Sequence, residues 1–116
     1  MLLRDLNFRL ALNNKILTYN TYEALTQNDF KHLNIDLATN YYDIKNNNIY
    51  HNDIVKVLYN NKSEIAIVKL SKNMHFLIHY AFNKGLDTLC SLMQDSDYKI
   101  EIISNLYEGF YNDYFM

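Results

Sequence analysis

Three consecutive apolar segments between residues 53 and 82 most strongly limit what this chain can fold into. In the first, Asp53 to Tyr59, apolar residues occupy both sets of alternating positions. This pattern is typical of a strand that is buried on one face and half covered on the other. Glu64 to Leu70 and Met74 to Phe82 are rich in the β-branched and aromatic residues that strands favour. The segments therefore predict a three-stranded meander.

Asparagine is expected to form the tight turns of this chain. The sequence contains only two glycines, Gly85 and Gly109, and no proline. Asparagine tolerates a left-handed backbone better than most other residues. Three pairs are candidates for turns: Asn13-Asn14, Asn47-Asn48 and Asn60-Asn61.

Other elements are predicted on both sides of the meander. Asn7 to Leu12 and Ile16 to Tyr19 indicate a hairpin, and Ile35 to Tyr42 a strand. Thr21 to Leu33 has weak helical spacing and is interpreted as a loop or one helical turn. Leucines at three-residue spacing predict a short helix from Leu86 to about Gln94. The last strand is placed at Tyr98 to Tyr107 and is ended by Gly109.

Chain length and composition fit a single domain spanning residues 1–116. The chain is 49% hydrophobic, which is enough to enclose one core at this length. Its segments include neither a repeat nor a Pro- or Ser-rich linker. The predicted class is mostly β (α+β), as a small curled sheet or barrel with one or two short helices.

Charge and apolar patterning exclude several classes of partner. The net charge is -2, and 11 lysines and arginines are scattered singly, so direct nucleic-acid binding is disfavoured. The apolar runs are far shorter than the roughly 20 residues of a membrane helix, so no membrane association is expected. The single cysteine, Cys90, cannot form an intrachain disulfide, and the N-terminal sequence lacks a long apolar core. These features predict a cytosolic protein.

The histidines do not indicate a metal site. The four candidates are His32, His51, His75 and His79. The last two are four residues apart, which on a strand corresponds to about 13 Å, too far to share one ion. No Cys pair or His-Glu-x-x-His motif is present.

The residue types needed for catalysis are also poorly arranged. Cys90 lies between leucines on the predicted apolar face of the helix, where a buried thiol would be inert. Asp95 and Asp97 occupy a turn expected to be solvated, which would not separate their pKa values. The two glycines are 24 residues apart, so no Gly-rich loop can hold a phosphate. We therefore expect neither an enzyme nor a cofactor.

Two segments carry a resemblance to a known family. Tyr42 to Val57 contains Ile49, Tyr50, Asp53, Ile54 and Val55 after an Asn-rich turn, and Ile100 to Glu108 reads IEIISNLYE. Both segments resemble signatures of the YopX family of small phage and prophage proteins, with Asn52 where that family usually has glycine. The family continues after its second signature through Asn-Pro, whereas this chain has Gly109-Phe110. The resemblance implies a phage or prophage protein in the cytoplasm of a bacterial host, but it implies no shared activity.

Candidate binding residues come from the signatures and from clustered aromatics. Asp53 is expected chiefly to accept backbone N–H bonds in the preceding turn, and Tyr107 with Glu108 to lock the final strand. The aromatic clusters fit an interface, since tyrosine supplies contact area at low entropic cost, but the C-terminal cluster fits equally well as a cover for the chain's own core. The candidate set comprises Tyr41, Tyr42, Asp53, Tyr107, Phe110, Tyr111 and Tyr114.

The leading functional hypothesis is a non-enzymatic inhibitor of a bacterial defence effector, such as a CRISPR nuclease, that acts by protein contact. It rests on analogy with small acidic phage accessory proteins. One alternative is a homo-oligomeric sponge that sequesters a nucleotide immune signal, with tyrosines stacking on the base and Arg4, Arg9 or lysines holding the phosphates. A further alternative is a structural or replication-associated phage component.

Overall fold

The computed structural model describes residues 8–12, 15–16, 33–82 and 85–108. In these residues the chain forms nine β-strands, one short helix and a final 3₁₀ turn, which confirms the mostly β class. The elements in chain order are β1 (Phe8–Leu12), β2 (Lys15–Ile16), β3 (Leu33–Tyr42), β4 (Asn48–Tyr50), β5 (Asp53–Tyr59), β6 (Lys62–Leu70), β7 (Phe76–Tyr80), β8 (Leu86–Thr88), α1 (Leu89–Gln94), β9 (Lys99–Asn105) and the 3₁₀ turn (Leu106–Glu108). The strands are divided between two antiparallel sheets, in the orders β2-β1-β3-β4 and β8-β7-β6-β5-β9.

The four-stranded sheet is built on the long strand β3. Strand β1 pairs with its first half, from Phe8 opposite Leu37 to Leu12 opposite Leu33. Strand β2 pairs with β1 as a hairpin, and residues 17–19 of the predicted second strand lie outside the described residues. Strand β4 pairs with the second half of β3, where the register shifts and Asn40 has a φ of 63°. The predicted strand from Ile35 to Tyr42 is confirmed. Of the predicted loop from Thr21 to Leu33, residues 21–32 lie outside the described residues.

The five-stranded sheet contains the predicted meander as β5, β6 and β7, with β9 alongside β5. Asn60 and Asn61 both have positive φ, 50° and 61°, and join β5 to β6 at the predicted turn site. Because the turn has only two residues, β6 begins at Lys62, earlier than the predicted start at Glu64. In the turn before β4 it is Asn46, rather than Asn47-Asn48, that has positive φ. Asn13-Asn14 lies outside the described residues.

Two predicted strands are shorter than expected. The segment from Met74 to Phe82 forms a strand only over Phe76–Tyr80, since Met74 has a φ of 64° in the preceding turn. The final strand ends at Asn105 and continues as the 3₁₀ turn.

The predicted start of the helix at Leu86 is wrong. Leu86–Thr88 instead pairs with β7, and the helix begins at Leu89 because Thr88 caps it by accepting a 3.2 Å hydrogen bond from the backbone N–H of Ser91. Leu89 and Leu92 are buried. Cys90 is exposed, contrary to the expectation of a buried thiol, because one residue along a helix turns a side chain by about 100° away from its neighbour.

The main core lies between one face of the five-stranded sheet, helix α1 and strand β4. Its buried members are Ile49, Val55, Val57, Ala66, Val68, Ile78, Leu89, Leu92 and Ile100. Ile54 and Ile67 are also buried, and they pair on the opposite face of the same strands. The first half of β5 is therefore covered on both faces, as its sequence predicted. Full burial of one such side chain stabilises the fold by about 1.5–3 kcal/mol.

A search of the described residues for a membrane-crossing helix finds none of sufficient length and apolar character.

Candidate functional site

A cluster of charged and polar side chains connects the two sheets. We call Arg9, Asp36, Asn52, Asp53, Lys69 and Tyr107 the ion cluster. Asp36 and Asp53 are each only 1% exposed, and Arg9 bridges them. The Arg9 Nε atom donates to Asp36 Oδ2 at 3.0 Å, and its Nη1 atom donates to Asp53 Oδ1. Because Asp36 belongs to β3 and Asp53 to β5, one guanidinium from β1 ties the sheets together.

Asn52 lies at the centre of the ion cluster. Its Nδ2 atom donates to Asp36 Oδ1 at 2.9 Å, and its Oδ1 atom accepts from Lys69 Nζ at 2.9 Å. Burial lowers the pKa of Lys69, an effect that the charge of Asp36 opposes. The φ of Asn52 is 72°, a left-handed value that asparagine and glycine adopt most easily. This position therefore requires both an unusual backbone conformation and a side-chain amide.

Asp53 has both the predicted contact and one that the sequence did not reveal. Its Oδ2 atom accepts the backbone N–H of Tyr50 at 2.7 Å, as expected for a carboxylate at a strand entry. The ion pair with Arg9 was not predicted. Burial raises the pKa of Asp53 and outweighs the opposing effect of the Arg9 charge. Arg9 in turn lies 4.9 Å from the centre of the Tyr50 ring.

Tyr107 completes the cluster from the end of β9. Its hydroxyl donates to Asp36 Oδ1 at 2.8 Å and accepts from Asn52 Nδ2 at 3.3 Å. Burial, followed by the hydrogen bond to Asp36, raises the pKa of Tyr107 to about 12. The side chain therefore remains a neutral donor at physiological pH.

The ion cluster is organised to hold the fold rather than to bind a ligand. Two carboxylates are balanced by one guanidinium and one ammonium group. In the part of the chain that the structure describes, Asn48 Oδ1 is the buried side-chain atom without a hydrogen-bond partner, and it lies outside the cluster. Since the cluster's buried polar atoms are bonded to one another, we assign it a structural role.

A pocket of about 550 Å³ lies on the core face of the five-stranded sheet, beside the β5–β6 hairpin. We call it the tyrosine pocket. Antiparallel register places Tyr59 opposite Lys62 and Val57 opposite Glu64, so these four side chains share one face of the sheet. Among the described residues, the lining comprises Val57, Tyr59, Lys62, Ser63, Glu64, Tyr80, Asp87 and Tyr98. Its volume falls within the range of small-ligand sites, about 300–1,000 Å³.

Tyrosine rings dominate the walls of this pocket. Tyr59 and Tyr98 are stacked, with ring centres 4.3 Å apart and ring planes within 9° of parallel. The Tyr80 hydroxyl donates to Asp87 Oδ2 at 2.7 Å. Burial, and then this hydrogen bond, raises the pKa of Tyr80 above its usual value. The tyrosine pocket thus presents fixed aromatic surfaces and a neutral phenol.

The candidate residues from the sequence are not gathered into one site. Tyr41 packs against the core and lines a separate cavity of about 180 Å³ with Cys90. A hydrogen bond with Cys90 raises the pKa of Tyr41. Tyr42, the next residue of β3, is 50% exposed. Asp53 and Tyr107 belong to the ion cluster. Phe110, Tyr111 and Tyr114 lie outside the described residues, as does the side chain of Glu108.

The sequence analysis missed the tyrosine pocket. Tyr59 and Lys62 flank the Asn60-Asn61 turn, so a two-residue hairpin at that turn would have placed them side by side. Tyr80 and Tyr98 are 18 residues apart; Tyr80 belongs to β7, whereas Tyr98 lies between helix α1 and β9. No sequence spacing joins these two residues, because strand order and the path after helix α1 determine their proximity.

No metal site emerges from the described part of the chain, where no group of three or more His, Cys, Asp or Glu side chains is suitably placed. His79 lies on a strand, as predicted, with His75 immediately before it. Burial lowers the pKa of His51.

Comparisons of this chain with protein-family models, curated proteins and solved structures found no match. The resemblance to the YopX family therefore stays a prediction.

Proposed function

We propose that this protein is a non-enzymatic binding protein that acts by contact with a bacterial host protein through the tyrosine pocket. The observation that carries the proposal is the open pocket formed by Tyr59, Tyr80 and Tyr98 on a rigid sheet. Tyrosine is enriched at protein interfaces because a rigid ring buries a large area at low entropic cost while its hydroxyl finds a partner.

The chemistry of the lining residues favours binding over catalysis. The two strongest candidates for acid–base roles, Tyr80 and Asp87, are already hydrogen-bonded to each other. The raised pKa of Tyr80 keeps its proton in place, so the phenol is a poor general base near neutral pH. Ser63 is exposed, and the described lining includes no histidine or cysteine to activate it.

The class of partner follows from the resemblance to phage and prophage proteins. Small phage proteins that bind host proteins commonly block a host system, and a defence effector such as a CRISPR nuclease is the expected target. This step rests on analogy with phage proteins of similar origin, and not on a property of the pocket.

One observation favours a second candidate, the oligomeric nucleotide sponge. The Tyr59–Tyr98 stack offers a platform for a base, and Lys62 lies beside it as a cation for a phosphate. The Asp87 carboxylate in the same lining repels phosphates, so contact with a protein remains the leading proposal.

The proposal is tested by expressing the tagged chain in a bacterial host and identifying co-purifying proteins by mass spectrometry, with parallel extraction of bound nucleotides. We expect a host protein in stoichiometric amount with the wild type and its loss with Tyr59→Ala. The matched control is Tyr42→Ala, which removes an exposed tyrosine away from the pocket and should retain the partner. Circular dichroism establishes that each variant is folded.

Three outcomes would overturn the proposal. Retention of the partner by Tyr59→Ala would exclude the pocket as the contact surface. Loss of the partner protein with Tyr42→Ala, or with Tyr111→Ala and Tyr114→Ala, would indicate that the contact surface is formed by the aromatic clusters predicted from the sequence. A bound nucleotide on a symmetric oligomer, with no protein partner, would establish the sponge.

A further inference from the structure

We infer that the tyrosine pocket receives the indole ring of a tryptophan on the partner protein, with the indole N–H donating to the carboxylate of Asp87. The inference rests on the proposed function and names the side chain that the pocket would bind. It follows from an open hydrogen-bond acceptor beside aromatic surfaces, in a pocket whose lining carries charges of both signs.

Asp87 provides the acceptor. The Tyr80 hydroxyl donates to Oδ2 of this carboxylate at 2.7 Å, and among the described residues no donor is bonded to Oδ1. The hydrogen bond from Tyr80 also holds the carboxylate in one orientation. An ionised carboxylate can only accept hydrogen bonds and the indole N–H can only donate one, so the two groups match.

The stacked tyrosines provide the surface for the ring. The ring centres of Tyr59 and Tyr98 lie 4.3 Å apart with their planes within 9° of parallel, and Val57 adds an aliphatic surface to the same lining. Aromatic side chains pack on such rings in offset-stacked or edge-to-face arrangements. Burial, then the ionised form of Tyr59 and then Asp87, raises the pKa of Tyr98, so the stack lies within electrostatic range of the carboxylate.

The charges of the lining favour a neutral side chain. Asp87 and Glu64 carry carboxylates, and Lys62 carries an ammonium group. A charged side chain that enters the pocket meets a group of its own sign whichever charge it carries, whereas an indole meets none.

Tryptophan fits this site better than the other neutral aromatic side chains. Phenylalanine has no donor for Asp87, and tyrosine supplies its donor on a smaller ring. The cavity of about 550 Å³ has room for a bicyclic ring. Tryptophan is also enriched among the residues that anchor protein interfaces in pockets of this kind.

Binding is tested by NMR with short blocked peptides and the full chain, labelled with ¹³C in its tyrosine rings. The probes are acetyl-Gly-Trp-Gly-amide and the same peptide with tyrosine or with benzothienylalanine. Benzothienylalanine is the matched control, because sulfur replaces the indole N–H while the bicyclic ring keeps its shape. We expect saturable shifts of the Tyr59 and Tyr98 signals with the tryptophan peptide, and about tenfold weaker binding of the benzothienylalanine peptide, which lacks the hydrogen bond to a charged acceptor. The chain contains no tryptophan, so a change in indole fluorescence reports the bound peptide alone.

Variants at position 87 assign the hydrogen bond to its acceptor. Asp87→Ala should weaken binding of the tryptophan peptide about tenfold and leave the benzothienylalanine peptide unchanged, so that the preference between them disappears. Asp87→Asn keeps the size of the side chain and a neutral acceptor, and should give an intermediate preference. Glu101→Ala removes a carboxylate of the same sheet outside the pocket and should leave the full preference in place.

The inference and the proposed function fail differently. Equal binding of the tryptophan and benzothienylalanine peptides would overturn indole recognition, as would a full preference in both variants of Asp87 or a tyrosine peptide that binds as tightly. A host protein captured through Tyr59 would still support the proposed function in those cases. Conversely, an indole-specific pocket in a chain that captures no host protein would leave indole recognition standing and overturn the proposed function.

Discussion

The hydroxyl of Tyr107 donates a 2.8 Å hydrogen bond to Oδ1 of Asp36, although 71 residues separate the two in the sequence. Tyr107 follows β9, the last strand of the five-stranded sheet in chain order, and Asp36 lies within β3, an interior strand of the other sheet. Arg9 makes a similar connection between Asp36 and Asp53. Hydrogen bonds to buried charges thus reinforce the junction between the sheets, which makes stability sensitive to single polar atoms there.

Removal of the Tyr107 hydroxyl should destabilise the fold. Tyr107→Phe keeps the ring but deletes a donor to the buried Asp36 carboxylate, and we expect the free energy of unfolding to fall by about 1–3 kcal/mol. Urea unfolding followed by circular dichroism measures this change. Tyr42→Phe, at a half-exposed ring, is the control and should change stability by less than about 0.5 kcal/mol. Equal effects of the two substitutions would exclude the junction as a source of stability.

Tyr107 should also make stability depend on alkaline pH. Its pKa is raised from 10.0 to about 12 in the folded protein, so the folded state retains the proton more strongly than the unfolded state. The resulting stabilisation is fully present below pH 10.0 and is lost as pH rises through about 12. The stability difference between wild type and Tyr107→Phe should therefore shrink between these pH values, as measured by urea unfolding. A constant difference across that range would contradict the assigned hydrogen bond, and the comparison cancels the contribution of the other tyrosines.

Cys90 should react with thiol reagents in the folded protein. It is exposed beside the mouth of the Tyr41 cavity, and Gln94 Nε2 lies 3.4 Å from its sulfur. We expect modification by a chromogenic disulfide at a rate within about tenfold of that in urea, since an exposed thiol needs no unfolding step. If Cys90 were instead modified only at the rate of global unfolding, the thiol would be buried, as the sequence predicted.

Local patterns in the sequence predicted most of the five-stranded sheet. The meander and the Asn60-Asn61 turn follow from strand periodicity and turn chemistry, which act between neighbours. The helix start was missed because a cap at Thr88 and pairing of β8 with β7 outweighed leucine spacing. Propensity is a weak guide where tertiary contacts compete with it.

The sites were much harder to predict than the strands. Only the local type of partner of Asp53 was predicted from the sequence, since Tyr50 is three residues away. Arg9 is 44 residues away, and no local pattern indicated its contact with Asp53. The tyrosine pocket depends on the register of four strands, β5 to β8, and on the segment after helix α1. Contacts of this kind are fixed by strand order, which no spacing within a single segment encodes.

Glycine substitutions should separate the backbone role of asparagine from its side-chain role. Asn52 and Asn60 both have positive φ, but only the amide of Asn52 belongs to the ion cluster. Asn60→Gly keeps an accessible backbone conformation, and we expect a change within about 0.5 kcal/mol. Asn52→Gly also suits the backbone but removes hydrogen bonds to Asp36 and Lys69, so we expect a loss of about 2 kcal/mol.

Asn52→Ala extends this comparison to the backbone itself. It lacks the amide and also places a β-carbon at a φ of 72°, which adds roughly 1 kcal/mol to the cost. Urea unfolding of the three variants should therefore give the order Asn60→Gly, Asn52→Gly, Asn52→Ala from most to least stable. If Asn52→Gly were as stable as Asn60→Gly, the amide would contribute nothing, and position 52 would require only a residue that tolerates the left-handed conformation.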